Sequence, residues 1–263
     1  MKKLAVLGHP VAHSRSPAMQ NAALAELGLE DEWGYEAIDV APDGFEALLR
    51  ELPGRAFVGA NVTVPHKGAA LAVADTLSET AREIGAANTL CFEGGEIRAD
   101  NTDAGGLLAA LPTSPEGGRA LVLGAGGAAR AVVWALLREG AEVEVWNRTV
   151  LRSRNLCEEL GGRPVEDPDP GAYGLIVNST AVGLGGEDPF ESLPLGPDSF
   201  GGGQIVVDMV YGREPTALLV AATECGATTV DGIEVLVRQG ALSLEIWTGR
   251  EAPLEAMRAA ART

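Results

Sequence analysis

Ala120-Leu121-Val122-Leu123-Gly124-Ala125-Gly126-Gly127-Ala128-Ala129-Arg130-Ala131 is the stretch whose reading decides the fold. Its four leading apolar residues read as a buried strand and its glycines as a tight turn. Ala128 to Arg138, ending before Gly140, reads as a helix. Glu142 to Trp146 supplies a second strand, so the whole is a βαβ unit with glycines at the strand-to-helix turn. The spacing is GxGGxxxA, not GxGxxG. Glycines there let backbone N–H groups approach a pyrophosphate at the positive end of a helix. A purely structural turn of an α/β fold would use the same residues.

Outward from this unit, short aliphatic or β-branched runs alternate with Ala/Leu-rich segments, the pattern of parallel α/β construction. The strands expected are Leu4 to Gly8, Tyr35 to Val40, Phe57 to Val62, Ala120 to Leu123, Glu142 to Trp146, Gly174 to Asn178 and Ile205 to Asp208. Pro17 to Leu27 reads as a helix with Ser16 as N-cap, Pro17 at its first position and Gly28 closing it. Turn formers concentrate from Leu111 to Arg119, which places a domain hinge near residues 101 to 118. Ile233 to Thr263 reads as two helices split at Thr248 to Pro253.

At ~150 residues per domain, 263 residues suggest about two domains. A net charge of -17 repels phosphate backbones, which argues against a general nucleic-acid or anionic-membrane binder. No apolar run approaches the ~18 residues of a membrane span. Met1 to Gly8 reads as a first strand, not a secretory leader. Cys91, Cys157 and Cys225 are odd in number and far apart, which fits a reducing cytoplasm. His9 and His13 have the spacing of a helical metal pair, but Pro10 and Pro17 make that stretch a loop, so no metal site is expected. Neither a GxxxxGK[ST] loop nor a GxSxG elbow occurs.

Asn147-Arg148-Thr149 follows the second strand of the βαβ unit, where an NAD site would place an acid to bind the ribose 2′-hydroxyl. A guanidinium there pairs instead with a 2′-phosphate, and Arg152 and Arg154 add positive charge, so NADP(H) is expected over NAD(H). Among 20 basic residues only positions 2, 3 and 67 are lysine. Lysine transfers protons where arginine cannot, and Lys67 ends Asn61-Val62-Thr63-Val64-Pro65-His66-Lys67 at the carboxyl end of an expected strand. Asp103 could partner it in moving a hydroxyl proton; on position alone, an N-cap for the helix from Ala104 to Leu111 is the simpler reading.

Gly8-His9-Pro10-Val11-Ala12-His13-Ser14-Arg15-Ser16-Pro17, with Asn21 beyond it, resembles the opening motif of the shikimate dehydrogenases. Asn61 to Lys67, Ala87-Asn88-Thr89, Asn101-Thr102-Asp103, Gly124 to Ala128, Asn147-Arg148-Thr149, Asn178-Ser179-Thr180, Asp208-Met209-Val210-Tyr211 and Gln239-Gly240 match in order. The resemblance implies reversible reduction of 3-dehydroshikimate to shikimate by NADPH, within aromatic amino acid biosynthesis. It also implies an α/β fold of two domains. Residues 1–100 plus 240–263 would form the substrate-binding and catalytic domain, and 101–239 a Rossmann-like, doubly wound NADP domain.

Carried over by position, Ser14 and Ser16 would hold the substrate carboxylate, and Thr63, Asn88, Tyr211 and Gln239 would complete the pocket. Lys67 and Asp103 would handle the hydroxyl proton and also touch substrate. Gly124, Ala125, Gly126, Gly127 and Ala128 would take the pyrophosphate, and Asn147, Arg148, Thr149 and Arg152 the adenosine phosphate. Thr180 falls within the matched Asn178-Ser179-Thr180 on the cofactor side, with Met209 and Gly232 near the nicotinamide. Glu79 falls at an acidic family position but reads more simply as a solvated helix residue.

Two departures stand out. Gln20 replaces the family's usual His and reads as neutral; Ala104 replaces the Gly after Asn-Thr-Asp and narrows the backbone angles beside Asp103. The rival readings are a quinate/shikimate dehydrogenase of broader specificity and a non-catalytic NADP-binding sensor on the same scaffold. The expected partner is a small molecule in the cytoplasm, without nucleic acid or membrane, and a homodimer suits an apolar chain of this size.

Overall fold

The computed structural model describes all 263 residues. The chain runs β1 (Lys2–Gly8), α1 (Ser16–Glu26), β2 (Trp33–Asp39), α2 (Phe45–Glu51), β3 (Phe57–Val62), α3 (Lys67–Val73), β4 (Thr76–Leu77), α4 (Glu79–Ile84), β5 (Thr89–Glu93) and β6 (Glu96–Asp100). It continues through α5 (Asp103–Ala110), β7 (Arg119–Leu123), α6 (Gly127–Arg138), β8 (Glu142–Trp146), α7 (Val150–Leu160), β9 (Arg163–Pro164) and β10 (Leu175–Asn178). β11 (Ile205–Asp208), α8 (Ala217–Glu224), β12 (Thr228–Val230), α9 (Gly232–Thr248) and α10 (Leu254–Ala261) complete it. Two compact units result, Met1–Gly106 with Leu236–Thr263, and Leu107–Val235. The divisions fall inside α5 and α9, so Asp103 and Gln239 belong to the first unit.

The first unit is built on a mixed sheet of order β2-β1-β3-β5-β6-β4. β1 pairs in parallel with β2 and β3, whereas β5 runs antiparallel to both β3 and β6. The sequence reading placed no strand at β5 or β6. They form a hairpin whose turn residues Gly94 and Gly95 have φ of +60° and +89°, the left-handed pair that a two-residue hairpin turn needs. The reversal has a direct consequence for the site. β5 begins where β3 ends, with Asn61 opposite Thr89 and Thr89 opposite Asp100, so Thr63, Asn88 and Asn101 to Asp103 meet at one sheet edge.

Leu7, Phe45, Leu49, Phe57, Val62 and Leu90 fill the core between this sheet and its helices. On α9, Trp247 Nε1 donates to the Leu90 carbonyl at 2.9 Å, across the surface of Gly59. A Cβ at position 59 would lie 2.7 Å from that same carbonyl oxygen, so only glycine permits the approach.

The second unit carries a wholly parallel sheet of order β12-β11-β10-β7-β8-β9. Alternate residues of its strands feed two cores. Ala120 and Val122 join Val143, Val145 and Val132 of α6, while Leu121 and Leu123 join Ile176, Val206 and Leu218 of α8. This is the doubly wound arrangement. The strand order reverses between β7 and β10, and such sheets bind ligands at the carboxyl ends of the strands at that reversal.

Candidate active site

At the shared edge of the first unit, Lys67 is the first residue of α3 and Asp103 the first of α5. Lys67 Nζ donates to Asp103 Oδ2 at 2.5 Å, and the two side chains are only 12% and 7% exposed. The other carboxylate oxygen, Oδ1, accepts from Asn88 Nδ2 at 2.8 Å. With both oxygens engaged, Asp103 does not cap α5; Asn101 Oδ1 instead accepts from the Asp103 N–H at 3.1 Å. An ammonium has three donors, and one is spent on Asp103.

Asn88 is the hub beneath this pair. Its Nδ2 also lies 3.0 Å from Thr102 Oγ1 and 3.1 Å from Gln239 Oε1, and its Oδ1 accepts from the Thr102 N–H at 2.7 Å. Thr89, Thr102, Ser243 and Asn61 extend the network, with Tyr35 donating to Asn61 Oδ1 at 2.7 Å. These last residues received no role from the sequence. Ser243 lies one helical turn beyond Gln239 on α9, which was a readable signal of a shared face.

Ser14 and Ser16 lie on the segment that leaves β1. His9 Nδ1 hydrogen-bonds Asp39 Oδ1 at 2.7 Å and the Val11 N–H donates to Oδ2 at 3.1 Å, tying this segment to the end of β2. The bond to His9 is the main cause holding the Asp39 carboxyl below its usual range. Ser16 is not an N-cap. Arg15 holds that position, Ser16 opens α1, and the Ser16 N–H donates to Ser14 Oγ at 3.3 Å. Gly28, with φ of +67°, follows the helix in the left-handed conformation expected of it.

At the switch point of the second unit, Gly124 has φ of +113°, and a Cβ there would meet Thr180 Cγ2 and Ser179 Oγ at 3.1 Å. Gly124 therefore answers to both conformation and packing. Gly126 answers to neither: its backbone is extended, and nothing lies within 4 Å of a Cβ placed on it. It precedes the 12-residue α6, whose first turn has no side-chain cap. Uncapped N–H groups beside a missing Cβ form a cradle that fits a pyrophosphate. Ala125, Gly127 and Ala128 complete the turn.

After β8, Asn147 Nδ2 donates to the Thr149 carbonyl at 2.9 Å and shapes the turn into α7. Arg148 and Arg152 are exposed and carry no ion pair, whereas Arg154 is held by Glu166 at 2.8 Å. Two of the three arginines are thus available to a 2′-phosphate. Gly232 packs against the carbonyls of Asp208, Met209 and Val210, all within 2.9 Å of where its Cβ would stand. Tyr211 belongs to this unit, apart from the other residues expected to bind substrate, which all lie in the first.

Three family models match the chain. The shikimate dehydrogenase substrate binding domain matches residues 6–90, a shikimate / quinate 5-dehydrogenase domain matches 109–169, and a shikimate 5′-dehydrogenase C-terminal domain matches 232–262. The shikimate dehydrogenase (NADP(+)) of Methanopyrus kandleri is 43% identical over 279 residues, covering 97% of this chain and 93% of that protein. The chain belongs to the shikimate dehydrogenase family. Among solved shikimate dehydrogenases, that of Aquifex aeolicus superposes with a TM-score of 0.93 at 36% identity, covering 100% of this chain and 98% of the other. The Thermus thermophilus enzyme, solved with NADP(H) and shikimate, gives 0.89 at 45% identity over 100% and 99%.

Against the family pattern, the two departures behave differently from their sequence reading. Gln20 is not a bystander: it is fully buried, and its Nε2 donates to the Gly240 carbonyl at 2.9 Å, beside Gln239. Its Oε1 has no partner. Ala104 leaves Asp103 in reach of Lys67, because the residue is helical and alanine is the best helix former. Glu79 is exposed in the first turn of α4, behind a Ser78 cap that accepts from the Ala81 N–H.

Proposed function

We propose that the protein catalyses the reversible, NADPH-dependent reduction of 3-dehydroshikimate to shikimate, a step toward chorismate and the aromatic amino acids. The observation that carries this is the buried Lys67–Asp103 pair beside Asn88 and Gln239. Its supports are a phosphate cradle at Gly126 and two unpaired arginines in the second unit. Bound NADPH supplies the hydride.

The chain's own residues handle charge and protons. Ser14 and Ser16 offer hydroxyl donors to the substrate carboxylate, and Thr63, Asn88, Gln239 and Tyr211 fix the ring. Lys67 Nζ gives its proton to the substrate oxygen as the carbonyl becomes an alcohol, and takes it back in the reverse direction. Asp103 holds that ammonium in its orientation, and Asn88 keeps Asp103 in place. On the second unit, Gly124 to Ala128 hold the pyrophosphate, and Asn147, Arg148, Thr149 and Arg152 the adenosine phosphate. Met209 and Gly232 face the nicotinamide, and Thr180 lies on the cofactor side. We place this work in the cytoplasm, on a small-molecule substrate and without nucleic-acid or membrane partners, with a homodimer as the assembly to test.

NADP⁺ reduction is followed at 340 nm with shikimate, with quinate and NAD⁺ as parallel substitutions, for wild type and Lys67→Ala. Turnover with shikimate and NADP⁺ that collapses in the variant, with KM little changed, is expected. Equal turnover of quinate would point to the broader enzyme. NADPH binding without any turnover would leave a sensor.

A further inference from the structure

Asp208 ends β11, the strand between β12 and β10 in the parallel sheet, and is 1% exposed, where its neighbours Val206 and Val207 are wholly buried. A carboxylate in such a place needs donors, and it has three. Asn178 Nδ2 donates to Oδ1 at 2.9 Å from the end of β10, the Val210 N–H donates to Oδ1 at 3.0 Å, and Thr216 Oγ1 donates to Oδ2 at 2.6 Å. Val210 and Thr216 stand near the two ends of residues 209–216, a segment without helix or strand that carries Met209 and Tyr211. One side chain thus closes the segment on itself and fastens it to the sheet.

Asn178 continues the same device. Its Oδ1 accepts from Thr180 Oγ1 at 2.7 Å and from the Thr180 N–H at 3.1 Å, and its carbonyl accepts from the Met209 N–H at 2.9 Å. Gly232 then rests on the carbonyls of residues 208–210. Three separate segments meet on one buried pair. We infer that Asp208 is a positioning residue for the nicotinamide end of the cofactor site: through Asn178, Val210 and Thr216 it sets the places of Thr180, Met209 and Gly232 without touching the cofactor. The inference rests on the assignment of Met209 and Gly232 to the nicotinamide and of Thr180 to the cofactor site.

The test separates the two ends of the dinucleotide. Dissociation constants for NADPH and for adenosine 2′,5′-bisphosphate, which lacks the nicotinamide, are measured on wild type, Asp208→Ala, Asp208→Asn and Thr216→Val. An asparagine keeps an acceptor for Asn178 and Val210, and its amide can donate to Thr216. We expect Asp208→Ala to weaken NADPH tenfold or more while the bisphosphate changes less than twofold, and Asp208→Asn to stay within threefold of wild type for both. Thr216→Val, which removes the donor to Asp208 Oδ2 and the acceptor that caps α8 at the Leu219 N–H, should fall between, and it carries the test if Asp208→Ala does not fold. Equal weakening of both probes would make Asp208 merely structural and overturn the inference, as would unchanged NADPH binding in Asp208→Ala and Thr216→Val. If wild type binds NADPH but oxidises no shikimate, the proposed reaction fails while the binding contrast still decides the role of Asp208.

Discussion

Asn88 shows how much one buried amide can organise. Its Nδ2 faces Asp103, Thr102 and Gln239, and its Oδ1 takes the Thr102 N–H, so removing the side chain takes the partner from two buried groups, Asp103 Oδ1 and the Thr102 N–H. Each such orphan costs about 1–3 kcal/mol. Asn88→Ala should therefore lower the unfolding free energy by a few kcal/mol and reduce kcat/KM for shikimate at least tenfold, since Asp103 loses the donor that fixes Oδ1. Urea denaturation and steady-state kinetics check the two parts. Asn88→Asp makes the sharper control, because it brings a second carboxylate against Asp103; stability retained with activity intact would contradict the assigned geometry.

The elements differ in how far they could be read from the sequence. β3, β8 and β11 lie at their expected limits, because apolar runs bounded by turn residues specify a buried strand directly. β5 and β6 were missed although Gly94-Gly95 is a hairpin signal, since Glu93, Glu96, Arg98 and Asp100 dilute the apolar pattern around it. That omission hid why Asn88 stands beside Asp103. The partner of Lys67 comes from α5 and the amide that holds that partner, Asn88, from just before β5, and no local pattern states which loops a sheet edge will gather. Ser16 was misplaced by one position: Arg15 holds the cap without a side-chain acceptor, and the Ser16 N–H donates to Ser14 Oγ.

The turn into α6 and the start of α7 make two element-scale predictions. Gly126→Ala meets no atom within 4 Å and demands no strained backbone, so the folded state should be unaffected, with Tm within about two degrees of wild type. NADPH binding should nonetheless weaken at least tenfold, because the new methyl occupies the cradle. Calorimetry of binding against thermal denaturation separates these effects, and unchanged affinity would remove the turn from the cofactor site. At α7, Arg148→Ala and Arg152→Ala should each raise KM for NADP⁺ by about 10- to 100-fold, the value of a charge-assisted hydrogen bond to phosphate. KM for NAD⁺ should not rise. Arg154→Ala should leave both unchanged, because Glu166 already holds that guanidinium.

At the scale of the whole molecule, each unit buries a thiol in its core. Cys91 lies on β5 in the first unit and Cys157 on α7 in the second, and burial pushes both up to about 11 from 9.0. The folded chain thus keeps two protons that the unfolded chain releases as pH passes 9.0. Stability from this source is complete below pH 9.0 and is lost as pH climbs toward 11, since the unfolded state then binds fewer protons. Urea midpoints at pH 8, 9, 10 and 10.5 should fall progressively for wild type, and less steeply for Cys91→Ala with Cys157→Ala. The comparison rests on slopes, because the alanines also lower stability at every pH by leaving small cavities. A residual slope above pH 10 is expected from Tyr173, whose hydroxyl is raised by burial and by its hydrogen bond to Glu144. At pH 8 only Cys225, the one partly exposed thiol, should react promptly with a disulfide reagent, with Cys91 and Cys157 following on unfolding. Prompt reaction of all three in the native protein would mean that the cores open freely, and the alkaline slope should then be absent.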